Sequence, residues 1–199
     1  RSFDEVFHVT ELFSDFQLND AVFFRAGKQT IHWGVGRFFS PADLLNITEI
    51  DPEDPEAELE GPVALKVQAP IGSHNLYLYV VFEDATDAWD MAVAPRVELV
   101  VGSSEIGLGA YYRGGDAPAA MATLTTTLGD FDVFAEGLLS YGSNRTFVVE
   151  DPAALPFGVV TRTYDDVLYP SATAGLRYRY ADDLSRFDVT VSAQYLYNG

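Results

Sequence analysis

The sequence predicts an all-β chain: an antiparallel up-and-down transmembrane β-barrel of about ten strands, in one domain spanning 1–199. Three observations predict it. Period-two alternation recurs along the chain while helical period is scarce. Connections are short after odd strands and mostly long after even ones, the asymmetry of a membrane barrel. One face of the strands is apolar and aromatic, and the other carries the charges.

The strands follow in order. The first lies within 4–16 and turns at Leu18-Asn19-Asp20. The second covers 21–33. In it Phe24 and Ala26 oppose Arg25 and Gly27, and a charge on one side of an apolar strand needs water there. Strict alternation would send Lys28 and His32 toward lipid, so a bulge or the membrane edge is expected between Gly27 and Trp33. The segment from Trp33 to Asp43 is expected to pass over the rim into a long acidic loop containing Asp51-Pro52-Glu53-Asp54-Pro55-Glu56.

The third strand, 63–69, sets Val63, Leu65 and Val67 against Lys66 and Gln68. The fourth, 76–83, is apolar on both sides, with Tyr77 and Tyr79 opposite Leu76 and Leu78. The fifth, 96–102, opposes Val97 and Leu99 to Arg96 and Glu98. The sixth and seventh, 106–113 and 120–128, end at Gly114-Gly115 and at the hairpin signal Gly129-Asp130. The eighth, 131–141, alternates best: Val133, Ala135 and Leu139 against Asp132, Glu136 and Ser140. After a long loop, 144–170, the ninth (172–180) and tenth (187–197) repeat the pattern around a turn at 181–186. Tyr111, Tyr112, Tyr141, Tyr178, Tyr180, Tyr195 and Tyr197 gather near strand ends, as an interfacial girdle would.

Composition excludes several functions. Twelve Lys+Arg against 30 Asp+Glu give a formal charge of -18, which repels nucleic acid and anionic lipid surfaces. Cysteine is absent, which removes disulfides and thiolate chemistry. No apolar run reaches the roughly 18 residues of a transmembrane helix. Arg1 opens almost directly in strand-like sequence, so a leader is expected upstream. His8, His32 and His74 lack metal-ligand spacing, and no cofactor motif is present. Ser140 and Asp132 share a strand face but have no histidine placed to complete a triad. The acidic stretch 49–60 lacks calcium-loop spacing and reads as a solvated loop. Asn46-Ile47-Thr48 and Asn144-Arg145-Thr146 match a glycosylation acceptor and serve only to mark loops.

The charges of the polar face line the interior of such a barrel: Arg25, Lys66, Arg113, Asp132, Glu136, Arg177, Arg179 and Asp188. Two readings stand. In one, the five cations face the three carboxylates across a pore and select solutes by charge. In the other, they pair with neighbours and fill a narrow barrel.

The second strand also carries a resemblance. Phe24-Arg25-Ala26-Gly27-Lys28-Gln29, then Trp33-Gly34, then Ser40-Pro41-Ala42-Asp43-Leu44, resembles a pattern in Gram-negative outer-membrane porin-type barrels. There a strand of the form R-x-G-R/K-Q leads through W-G into a loop with N-P-x-D. Glu11 is similar to an acidic residue that such proteins carry in the partner strand. Lys28 and Ser40 depart from the commoner Arg and Asn, and the chain ends Tyr197-Asn198-Gly199 without a terminal aromatic.

The resemblance implies a bacterial outer-membrane channel without enzymatic activity or cofactor, with lipid and small solutes as partners and oligomers allowed. Porin-type relatives have more than ten strands, so a segment of a larger barrel, or a small relative, is expected. A plugged structural or adhesion barrel that binds through its acidic loops is the alternative, and a barrel hydrolase or acyltransferase is the remote third.

Overall fold

In the computed structural model the described residues are 9–47, 53, 60–143, 147–150, 158–164, 166–181 and 188–199. They form twelve strands: β1 (Leu12–Leu18), β2 (Val22–Lys28), β3 (Val63–Ile71), β4 (His74–Val81), β5 (Ala92–Val101), β6 (Ser104–Tyr111), β7 (Ala119–Leu128), β8 (Phe131–Tyr141), β9 (Phe147–Glu150), β10 (Val159–Arg162), β11 (Leu168–Ala181) and β12 (Asp188–Asn198). Ten of them make one antiparallel sheet in chain order, β1 to β8 followed by β11 and β12. β9 and β10 pair separately, inside the stretch expected to be a loop. Among the described residues there is no helix, so none crosses a membrane, and β1 and β12 form no ladder with each other.

The tight turns lie at one end and their chemistry explains them. Two-residue links at Gly72-Ser73, Gly102-Ser103 and Gly129-Asp130 each place a glycine first with φ near +62°, as a type II′ hairpin requires. After β1 the link is the three-residue stretch Asn19–Ala21, in which Asn19 and Asp20 both have positive φ. The long connections leave from the opposite end of the sheet, after β2, β4, β6 and β8.

The two faces of the sheet are dressed in reverse of a soluble sandwich. Leu78, Leu108, Leu124, Leu139, Leu176 and Val191 project from one face and stay exposed, Leu108 at 49% and Leu139 at 44%. The other face is polar and covered. It buries Arg96, Thr123, Glu136 and Thr173, with Tyr79 and Met121 between them.

What covers it is the chain itself. The ladder of β2 runs unbroken through Gly27 and Lys28 and stops there. The next residues, 29–47, turn under the sheet rather than over its rim, which corrects the expected path of Trp33–Asp43. Trp33 is only 1% exposed, and Ile31, Ala42 and Leu45 are buried with it against Tyr79 and Met121. The stretch is a compact loop closed at its neck by Asn46. The Asn46 amide donates to the Ile31 carbonyl (2.7 Å), and its oxygen accepts from the Ile31 N–H (2.9 Å). That side chain therefore has a local structural task within the sequence matching the glycosylation acceptor. The acidic loop at 49–60, apart from residues 53 and 60, lies outside the described residues. So do His8, the acceptor at 144–146, most of the turn at 181–186 and Phe187, which had been assigned to the last strand.

Candidate functional site: the polar face and its inner loop

Strand parity puts Glu136 of β8 on the polar face, opposite Thr123 of β7 and Thr173 of β11. Its carboxylate is the main anchor of the inner loop. Oε2 accepts from the backbone N–H groups of Val35 (2.6 Å) and Gly36 (2.9 Å). Oε1 accepts from the Ser40 hydroxyl (2.9 Å) and the Ala42 N–H (3.1 Å). A loop without secondary structure has backbone donors to satisfy, and one acceptor-only carboxylate satisfies three of them here, together with the Ser40 hydroxyl. Gly34 makes the approach possible, because a Cβ there would lie 2.7 Å from Glu136 Oε2.

Gln194 of β12 holds the next stretch. Its Oε1 accepts from the N–H groups of Arg37 (3.1 Å) and Phe38 (2.9 Å), and its amide donates to the Phe39 carbonyl (2.5 Å) and to Thr173 Oγ1 (2.7 Å). On the other side Arg96 of β5 donates to the Trp33 carbonyl and lies over the Trp33 ring at 5.9 Å. Gln29 closes the base, its amide donating to the Ala64 carbonyl of β3 at 3.0 Å. Groups on β3, β5, β8 and β12 thus bind one loop from one face of the sheet.

The inner loop stands between two openings. A cavity of about 620 Å³ on the long-connection side is lined by Phe38, Phe39, Tyr111, Arg113, Ser140 and Tyr169, among others. A cavity of about 360 Å³ on the tight-turn side is lined by Val35, Arg37, Thr125, Asp132 and Arg177. Ser140 and Asp132 therefore face different cavities, which leaves no shared reaction centre. Among the described residues no group of three or more His, Asp or Glu is placed to hold a metal ion.

The sequence-assigned interior residues fall into distinct settings. Arg25 forms a two-toothed ion pair with Asp15 of β1 (2.8 and 2.9 Å). Arg177 pairs with Asp132 on the adjacent strand at 2.8 Å, so that pair is a cross-strand neighbour contact and not a field across an opening. Lys66 lies directly opposite Arg25 and over the Tyr77 ring at 5.1 Å. Arg113 lies just beyond β6 and donates to the Glu83 carbonyl at 3.2 Å. Arg179 sits on β11 opposite Thr190, and Asp188 opens β12 opposite Ala181. Of these residues Glu136 binds the inner loop directly, through the side-chain hydrogen bonds given above.

Gln29, Arg96 and Gln194 were missed as interior residues. Parity could have found two of them, since Arg96 and Gln194 occupy the polar side of their strands. Outside the strands, the Glu11 carboxylate accepts from the Thr30 N–H at 3.0 Å. That hydrogen bond holds the Glu11 pKa below its ordinary range. Compared with known proteins, the chain matches no family model, no curated protein and no solved structure.

Proposed function

We propose that this chain forms an outer-membrane β-barrel through which small solutes diffuse passively, with residues 29–47 as the constriction of its lumen. One observation carries the reading: from β4 to β12 the sheet exposes an apolar face while its polar face is the more buried one. In water such an arrangement would leave a large apolar surface exposed, whereas a bilayer accepts it. The resemblance of 24–44 to porin-type barrels points the same way. In lipid, the free edges of β1 and β12 require backbone partners, which further strands or a second copy supply. The described residues offer binding and positioning groups on the polar face, and the reading includes no catalysis.

Incorporation into planar bilayers tests it. Discrete conductance steps are expected, and their absence with folded, heat-modifiable protein would remove the pore reading. The burial of Trp33 and the four bonds to Glu136 favour a second reading, a plugged barrel that serves structure or adhesion through its acidic loops. Glu136→Leu separates the two. A pore with a loop constriction gains conductance when the anchor is lost, and a plugged structural barrel stays silent.

A further inference from the structure

A third cavity, of about 520 Å³, lies on the polar face where the inner loop does not reach. Asp15 and Gln17 of β1, Phe23 and Arg25 of β2, and Lys66 and Gln68 of β3 line it. Its charges are arranged unusually. Arg25 and Lys66 are register partners on adjacent strands, so two cations stand directly opposite each other. Like charges in that position destabilise a sheet. Asp15 hydrogen-bonds to Arg25, through two donors of its guanidinium, and reaches Lys66 only through its longer-range charge. Lys66 is partly buried and makes no ion pair among the described residues; its ammonium has only the Tyr77 ring at 5.1 Å. Beyond the lining, Arg96 and Glu98, 3.9 Å apart, offset each other, and the Glu11 carboxylate acts on Arg25 from just before β1. Of the charged groups that line the cavity itself, two are cations, Arg25 and Lys66, and one is a carboxylate, Asp15, in a chain whose formal charge is -18.

We propose that this cavity binds a small organic carboxylate, held between the Lys66 ammonium and the free donors of Arg25. This names a solute class for the pore proposed above and rests on that reading for its physiological meaning, although the binding itself does not. Charge and surface select the class. A single excess positive charge matches a monoanion, whereas a dianion would be left facing Asp15. Phe23 supplies an apolar wall, and Phe13 packs on Arg25 with the guanidinium carbon 3.9 Å from the ring centroid, so the site suits an anion with an apolar body. Binding relieves the repulsion between Arg25 and Lys66, a gain that a neutral solute cannot provide.

Benzoate is the probe, titrated calorimetrically into the folded protein in a nonionic detergent. Saturable binding is expected in the wild type, and Lys66→Gln should weaken it about tenfold or more through loss of a charge-assisted contact. Lys28→Gln makes the same charge change at the rim, where Lys28 pairs with Glu60, and should leave affinity unchanged. Without benzoate, Lys66→Gln should melt at a higher temperature than wild type, because the repulsion is gone; this also shows that the variant folds. Unchanged affinity in Lys66→Gln, equal losses in both variants, or tighter binding of inorganic phosphate than of benzoate would each overturn the proposal. Failure of the pore reading shows separately, as silent bilayers with benzoate binding intact.

Discussion

The two halves of the polar face use the same residue types to opposite ends. On the β8–β12 side, Glu136, Gln194 and Thr173 are committed to the inner loop and to one another. Their polar atoms are largely taken up, and the loop occupies the surface between the two cavities. On the β1–β3 side the loop touches the strand ends near Glu11 and Ala64, and farther along Arg25 and Lys66 face each other across one strand pair, with the Asp15 carboxylate on the far side of Arg25. A polar face that has found its partners within the chain works as structure. One with charge left over works as a place for something else.

The comparison breaks most sharply at Glu136. Glu136→Leu removes four acceptor contacts and leaves buried backbone donors unpaired, so a loss of about 3–5 kcal/mol is expected. The readout is the temperature at which the heat-modified gel band appears. Glu136→Gln retains acceptor capacity at one oxygen and should fall between. A change as small as that of Lys66→Gln would mean that the inner loop stands without its anchor, and the contrast between the halves would collapse.

The next effect tests the two faces. Leu139→Arg places a charge on the exposed apolar face of β8 and should cost about 2–4 kcal/mol in a bilayer if it sits near the midplane. Thr125→Arg points into the 360 Å³ cavity and should cost far less. Equal costs for the two, measured by unfolding from lipid vesicles, would contradict the assignment of faces.

How much of this was legible in the sequence follows from the range of each signal. Alternation is local, so Val133 and Leu139 against Asp132 and Glu136 could be sorted without knowing what lay beyond the strand. Glycine at 72, 102 and 129 marked tight turns because positive φ is a property of the residue itself. The inner loop was not legible. It has no period, and its anchors lie far along the chain, with Val35 bound to Glu136 and Phe38 to Gln194. The stretch Trp33–Asp43 was singled out, but an aromatic, glycine-rich path reads equally well over a rim or under a sheet. Only the burial of Trp33 and the close approach at Gly34 decide it. The pairing of Arg177 with Asp132 was hidden for a related reason, since it depends on the register of β11 against β8.

The smallest effect concerns the hinge between the two halves, where Glu11 accepts from the Thr30 N–H. The folded state holds this carboxyl below its ordinary pKa, with the Thr30 hydrogen bond the largest cause. The sign follows from linkage. A depressed folded pKa contributes stability that is fully present above the unfolded value and lost as pH falls through the folded one. Acidification should therefore loosen the entry to the inner loop first, at Thr30, while the core of β7–β8, held by main-chain ladders, stays closed. Amide exchange at Thr30 should rise through the acidic carboxylate range relative to Glu11→Gln, which lacks the titration and should show a flat profile there. A wild-type profile as flat as the variant's would show that Glu11 does not tie the edge strands to the loop.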